Sequence, residues 1–334
     1  MTVEVDGIAW AAIQKYGLSW PEVDEDGYAL LAADLQGFAE LVDDDVWAAN
    51  QHMQRLLSSG EGEAMNALKD HWDRVKGQDM TPVAGAARAL ASAVGPLPTA
   101  IAGLKLSTVS TAARLAANDT AAWAGAAADP GAPAAAAAAN ATTAQQVNSQ
   151  YRSAVEDLWT SLRSVLKDPN VTALENIPTD LAGTSGGSGG SGGSRWKDIL
   201  DGAGGGAEKG IGGGIGAGAT GGAVPGRAIG AFLKVDHEEH RLAAGKIAEV
   251  GIEVRGETTA KLNAAVGDHG TVKSSGSLAT DLAQAIDLVL DRLSTATTAV
   301  GNHLSGALPD AILLVSSSQQ DTDDGNRQRM AQLD

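Results

Sequence analysis

The sequence predicts an all-α protein, two helical-hairpin or bundle modules joined by a flexible Gly/Ser tether and a Gly-rich segment. Three observations predict it. Apolar residues recur at alternating spacings of three and four along most of the chain, the pattern of helices with one buried face. Only seven Trp, three Tyr and two Phe occur in 334 residues, so the interior is mostly Ala, Leu and Val and suits thin helical layers. The run Gly183-Thr-Ser-Gly-Gly-Ser-Gly-Gly-Ser-Gly-Gly-Ser194 divides the chain, its low hydrophobicity and high backbone entropy opposing a fixed fold. It reads equally as an engineered joint or a natural low-complexity linker. The resulting map is a helical bundle in 1–182, the linker in 183–195, a Gly-rich segment in 196–232, a helical hairpin in 233–316 and a polar acidic tail in 317–334.

The elements follow in order. Pro21, with Glu22, Asp24, Glu25 and Asp26 after it, marks a helix start, because acids are favoured at a helix N-terminus. Leu31, Leu35, Phe38, Val42, Ala49, Met53 and Leu56 then put one apolar stripe on that helix. Ser58 to Gly62 interrupts it, and Met65, Leu68, Trp72 and Val75 resume it as a helical hairpin requires, with Gly77 closing the second arm. Val83, Ala87, Leu90, Val94, Leu97, Ile101 and Leu104 continue the spacing, and Pro96 and Pro98 within it predict a kinked helix or two shorter ones. Asp129 to Pro133 breaks one helix and begins another. A further helix is expected over 145–167, with Val147, Tyr151, Val155, Leu158, Leu162 and Val165 inward and Asp168-Pro169 as its stop.

Beyond the Gly-rich segment, Ala243, Ile247, Val250 and Val254 mark a helix that Leu262 and Val266 extend to a turn at Gly267-Asp-His-Gly270. Leu278, Leu282, Ile286, Val289, Leu293, Ala296, Val300 and Leu304 form the returning arm, which Pro309 is expected to end or bend.

Charge and composition exclude several functions. The formal net charge of −17 divides into 11 basic and 23 acidic residues before the tract and 13 and 18 after it. Both parts are acidic, which argues against nucleic-acid binding and electrostatic docking on anionic membranes. The absence of Cys removes disulfides, thiolate metal sites and a Cys nucleophile. The N-terminus lacks the basic and apolar regions of a secretory signal, and no uninterrupted apolar stretch of about 18 residues suggests a membrane-spanning helix.

Gly202, Gly206, Gly210, Gly214, Gly218, Gly222, Gly226 and Gly230 recur every four residues. In a helix they would line one groove suited to close packing in lipid. The further glycines at 204, 205, 212, 213, 216 and 221 oppose helix formation, so a disordered or loosely packed segment is the competing reading. His237 and His240 flank two Glu at a spacing that chelates a metal only with a third ligand, and none is evident. They read as a solvated helix start, and His52, His71, His269 and His303 as scattered exposed residues. Glu22 to Asp26 and Asp43-Asp44-Asp45 read as solvated acidic faces, since neither has the alternating ligands of a calcium loop. No phosphate-binding or Ser-His-Asp pattern stands out, so the expectation is a non-enzyme without cofactor or metal. Trp20 and Trp72 are expected as core or interface anchors, as are Leu282, Ile286, Val289 and Leu293.

The string Leu18-Ser-Trp20-Pro21-Glu22-Val-Asp24-Glu25-Asp26, a following helix, Leu56 to Ala64 and then Trp72 resemble the N-terminal domain of WXG-type proteins of type VII (ESX) secretion, in the larger form that heads CpnT-like polymorphic toxins. The likeness covers about residues 8–120. It implies a turn at Gly60 and Gly62 comparable to the family's Trp-x-Gly, whose tryptophan this chain lacks. From about Val235 onward the chain is similar to EspC-like type VII substrates, whose tail carries Tyr-x-x-x-Asp/Glu. Only the acidic half, Asp323 or Asp324, has a counterpart here. The resemblance implies a substrate or partner of the type VII machinery, cytoplasmic before export and secreted or cell-surface afterwards. It would associate with a helical WXG-like partner or pair its own two modules. The alternative is a membrane-active protein that inserts the glycine-zipper segment.

Overall fold

The computed structural model describes residues 5–182 and 236–331. The described residues form helices and no strand. The Gly/Ser tether and the glycine series Gly206, Gly210, Gly214, Gly218 and Gly222 lie outside them.

Helix α1 (Gly7–Tyr16), which the apolar spacing does not announce, is held at both ends. The Asp6 carboxylate accepts from the Ala9 amide at 2.7 Å, and Gly17 closes the helix in the left-handed conformation with φ 59°. Helix α2 (Glu25–Ser59) begins four residues later than Pro21 suggests. Asp24 is its cap, its Oδ1 accepting from the amides of Asp26 at 3.1 Å and Gly27 at 3.4 Å.

Helix α3 (Glu63–Arg74) does not stop at Gly77. It passes through a π turn (Val75–Met80) directly into α4 (Thr81–Val94). The wider turn absorbs residues that would otherwise rotate the apolar face away, and the Thr81 hydroxyl donates to the Lys76 carbonyl five residues back at 2.7 Å. Gly95 and Pro96 separate α4 from α5 (Leu97–Gly125). Within α5 the inward position is Lys105 rather than the expected Leu104, which is half-buried. Helix α6 (Ala132–Val165) starts at the Pro133 turn, well before Gln145. The short helices α7 (Pro169–Ala173) and α8 (Ile177–Ala182) follow.

Asp236 caps α9 (His237–Glu253). A second π turn (Val254–Thr258) leads into α10 (Thr259–Lys273), so the expected turn at 267–270 is helical and the chain reverses at 274–276 instead. Leu262 is buried as expected, but Ala265 is buried where Val266 was expected. Helix α11 (Ser277–Asn302), a third π turn (His303–Ala307) and α12 (Leu308–Ala331) complete the chain. Pro309 does not end this arm: the helix passes from the third π turn straight into α12, of which Pro309 is the second residue. The polar tail is helical to Ala331.

The chain divides into two compact units. The first comprises Met1–Ala39, Gly85–Thr172 and Ala260–Leu293, the second Glu40–Ala84, Ala173–Thr259 and Ser294–Asp334. In the first, α1 packs on α5 and α6 around Ala9, Ala12, Ile13, Leu18, Ala112, Leu115 and Ala144. Tyr28, Leu31, Leu35 and Phe38 of α2 are also buried there. In the second, α9 packs against the third π turn and α12. Gly251 permits this, since a Cβ there would overlap the backbone of Leu304 and Ser305.

One helical stretch, Ala64–Gly125, contains an 18-residue window of mean hydropathy 1.3, long and apolar enough to cross a bilayer by composition alone. This corrects the expectation that no such stretch exists. A third of the window is buried inside the protein.

Candidate functional site

In the first unit the Trp20-to-Asp26 string forms a packed junction. Trp20 is half-buried and meets Trp10 edge-on, with centroids 6.2 Å apart at 87°. Lys105 on α5 lies 5.9 Å from the Trp20 ring. Its ammonium donates to the Val23 carbonyl at 2.8 Å and to Glu25 at 2.5 Å. Glu25 is therefore buried and paired, contrary to the expected solvated acidic face. The Asp24 amide donates to the Ser275 hydroxyl at 3.1 Å. A Cβ at Gly276 would overlap the Glu22 backbone, so only glycine fits that approach. Lys261 donates to Asp34 at 2.7 Å.

A second polar group in this unit is also complementary. Tyr16 donates to Asp119 at 2.6 Å, Asn140 donates to the same carboxylate at 3.0 Å, and Lys15 forms an ion pair with it. The hydrogen bond from Lys15, then that from Tyr16, hold the Asp119 carboxyl below its usual range.

The polar interior of the second unit is of another kind, and each π turn contributes one buried polar residue: Asp79, Thr258 and His303. Asp45 is 6% exposed, although it belongs to a triplet expected in solvent. Its Oδ2 accepts from the Thr258 hydroxyl at 2.7 Å. Burial pushes the Asp45 carboxyl up to about 6 against the lowering effect of that bond, and Glu253, Asp44 and Glu257 push the same way. Burial, with Asp180, raises Asp79 to about 7 despite Arg74.

His71 and His303 are buried too, as is His269 in the first unit, so the expectation that they are exposed is corrected. His71 Nε2 lies 3.1 Å from His303 Nε2, and Arg74 lies 2.8 Å from His71 Nδ1. A guanidinium only donates, so this network assigns the His71 proton to Nε2 and makes His303 Nε2 the acceptor. Burial, with Arg74, lowers His303 to about 4. His240 is buried against its own helix start, its Nδ1 3.0 Å from the Asp236 carbonyl, rather than solvated. No group of three or more metal-ligating side chains occurs among the described residues.

Trp72 is fully buried and donates to Asn50 at 3.1 Å. Leu282, Ile286, Val289 and Leu293 are all buried. Gly60 and Gly62 lie between α2 and α3, Gly62 with φ 134°, a conformation that side chains disfavour. Asp323 and Asp324 fall within α12, away from this turn in sequence.

Apolar spacing carried the signal for the residues that sequence reading missed. Asp45 falls between Val42 and Ala49, Asp79 between Val75 and Val83, and Thr258 between Val254 and Leu262, each in an inward position. No family model, curated protein or solved structure matches the chain.

Proposed function

We propose that the chain is a non-enzymatic association protein of the type VII secretion kind, a substrate or partner acting through helix-on-helix contact. The observation that carries the reading is that each compact unit combines residues from both sides of 183–235. Asp34 meets Lys261 and Asp24 meets Ser275 in the first unit, while Asp45 meets Thr258 and His71 meets His303 in the second. Cross-helix hydrogen bonds of this type, of which the Asp45 and His71 ones are buried, fix register between helices as well as adding stability. The apolar stripes of α2 and α11 are buried, as association requires. The Trp20-to-Asp26 string, the glycine turn and the acidic end of α12 support the type VII assignment.

Two experiments test the reading. A protease site replacing residues 184–194 allows the folded chain to be cut, and the two fragments should co-elute on size exclusion. Separate elution would defeat the association reading. Expression in a host with and without a working type VII ATPase tests secretion, with the chain expected in the culture filtrate of the intact host alone.

A further inference from the structure

The start of α2 and α10 meet along one seam in the first unit. As the chain ascends from Glu22 to Gly37, its contacts descend from Gly276 to Lys261. Glu22 faces Gly276, the Asp24 amide donates to the Ser275 hydroxyl at 3.1 Å, Gly27 faces Val272, and Asp34 and Gly37 face Lys261. These contacts define one antiparallel register, with a hydrogen bond at one end and an ion pair towards the other.

Glycine makes the seam close. A Cβ at Gly27 would overlap the Val272 γ-methyl, and one at Gly37 would lie 2.8 Å from Lys261 Cε. Those obstacles are side chains, and the lysine stem can swing aside. At Gly276 the obstacle is the Glu22 carbonyl, which belongs to the backbone and cannot rotate away. Ser275 is as closely specified. Its hydroxyl donates to the Val272 carbonyl at 2.6 Å while it accepts from Asp24, so one side chain joins the carbonyl end of α10 to the amide end of α2. The two helix dipoles attract each other there.

We propose that residues 22–37 form a recognition surface for a helical hairpin, that the hairpin it takes reverses on a hydroxyl residue followed by glycine, and that Gly276 is the residue that decides acceptance. The occupant in the structure is the α10–α11 hairpin of the same chain. This recognition rests on the association proposed above and names the class of partner for it. Apolar stripes attract hairpins in general, and a clash at one position is what separates one hairpin from another.

The chain with the protease site at 184–194, cut and then diluted, gives the concentration at which its two parts separate. Gly276→Ala should raise that concentration about tenfold to a hundredfold. Gly270→Ala, on the same hairpin, places a methyl group where nothing lies within 4 Å and should not raise it. Equal behaviour of the two variants overturns Gly276 as the selector.

Urea unfolding of the uncut chain tests the register without relying on Gly276. Gly27→Ala should destabilise the parent, and in a chain already carrying Val272→Ala the loss should be smaller by about threefold or more in equilibrium constant, because the added methyl enters space that the valine has left. Equal losses in the two backgrounds overturn the register. If the parts of the parent separate while this coupling holds, the association reading fails and the register stands. If they stay together while Gly276→Ala matches Gly270→Ala, the selector alone fails.

Discussion

The two units solve the problem of a polar group in a helical core in opposite ways. In the first, Lys105 meets Glu25, and Asp119 collects Tyr16, Asn140 and Lys15, so each charge faces its complement. In the second, Asp45 faces acids, Asp79 has Asp180 beside it, and His303 lies near Arg74. Complementary pairing favours the ionised state, whereas like-charge company favours neutral groups. These pairs in the first unit set each carboxylate beside a cation, whereas burial, reinforced by like charges, shifts Asp45 and Asp79 up and His303 down in the second. The π turns explain how the second accommodates them, since each carries a polar residue inward while its flanking helices continue.

The largest expected effect comes from unpairing a charge in the first unit. Lys105→Met leaves Glu25 buried without its partner and should cost about 3–5 kcal/mol in urea unfolding at pH 7. Adding Glu25→Gln should recover much of the loss, because the orphaned charge is then gone. A loss below about 1 kcal/mol would show that water reaches Glu25, and the contrast between the units would collapse.

In the second unit removing a charge should do the reverse. Asp79 is raised from 3.8 to about 7, so the folded state holds its proton longer and this group's contribution falls as pH rises from about 4 to 7. Asp79→Asn should stabilise the chain at pH 8 by on the order of 2–4 kcal/mol, and scarcely at all at pH 4. His303 runs the other way. Its folded value of about 4 lies below the ordinary 6.5, so stability is complete above 6.5 and lost as pH falls through that window. His303→Gln, which keeps an acceptor for His71, should flatten the acid limb of a stability profile between pH 6.5 and 4. An unchanged limb would move the source of acid sensitivity elsewhere.

Much of this architecture is legible in the sequence, and what is not has a common cause. The stripes of α2 and α11 can be read directly because apolar spacing continues unbroken from Leu31 to Val42 and from Leu278 to Val300. The break at Gly60 to Gly62 was equally plain. Gly77 and the 267–270 segment misled because glycine is a stop signal by propensity, whereas here π turns and tertiary packing carry the helices onward. The polar interior was missed for a different reason. Asp45, Asp79, Thr258 and His303 occupy inward positions of apolar series, although their residue types favour the surface. Lys105 is the same case, with Leu104 taking its place in the expected face. Where a charged residue fills a gap in an apolar series, position is the stronger clue.

The smallest effects separate glycines that permit contact from glycines that do not, within one helix. Gly251 and Gly245 both lie on α9, and both lower helix propensity by about 1 kcal/mol relative to Ala. At Gly245 a methyl group meets nothing within 4 Å, so Gly245→Ala should stabilise the chain by about 0.5–1 kcal/mol. At Gly251 the same methyl overlaps the backbone of Leu304 and Ser305, which cannot rotate aside as a side chain does. Gly251→Ala should therefore lose about 1–3 kcal/mol despite the propensity gain. Thermal melts of both variants at one pH measure the difference directly. If Gly251→Ala stabilised the chain as Gly245→Ala does, α9 would not approach the third π turn closely. His303 would then lose the packing that keeps it dry, and with it the acid limb expected of the second unit.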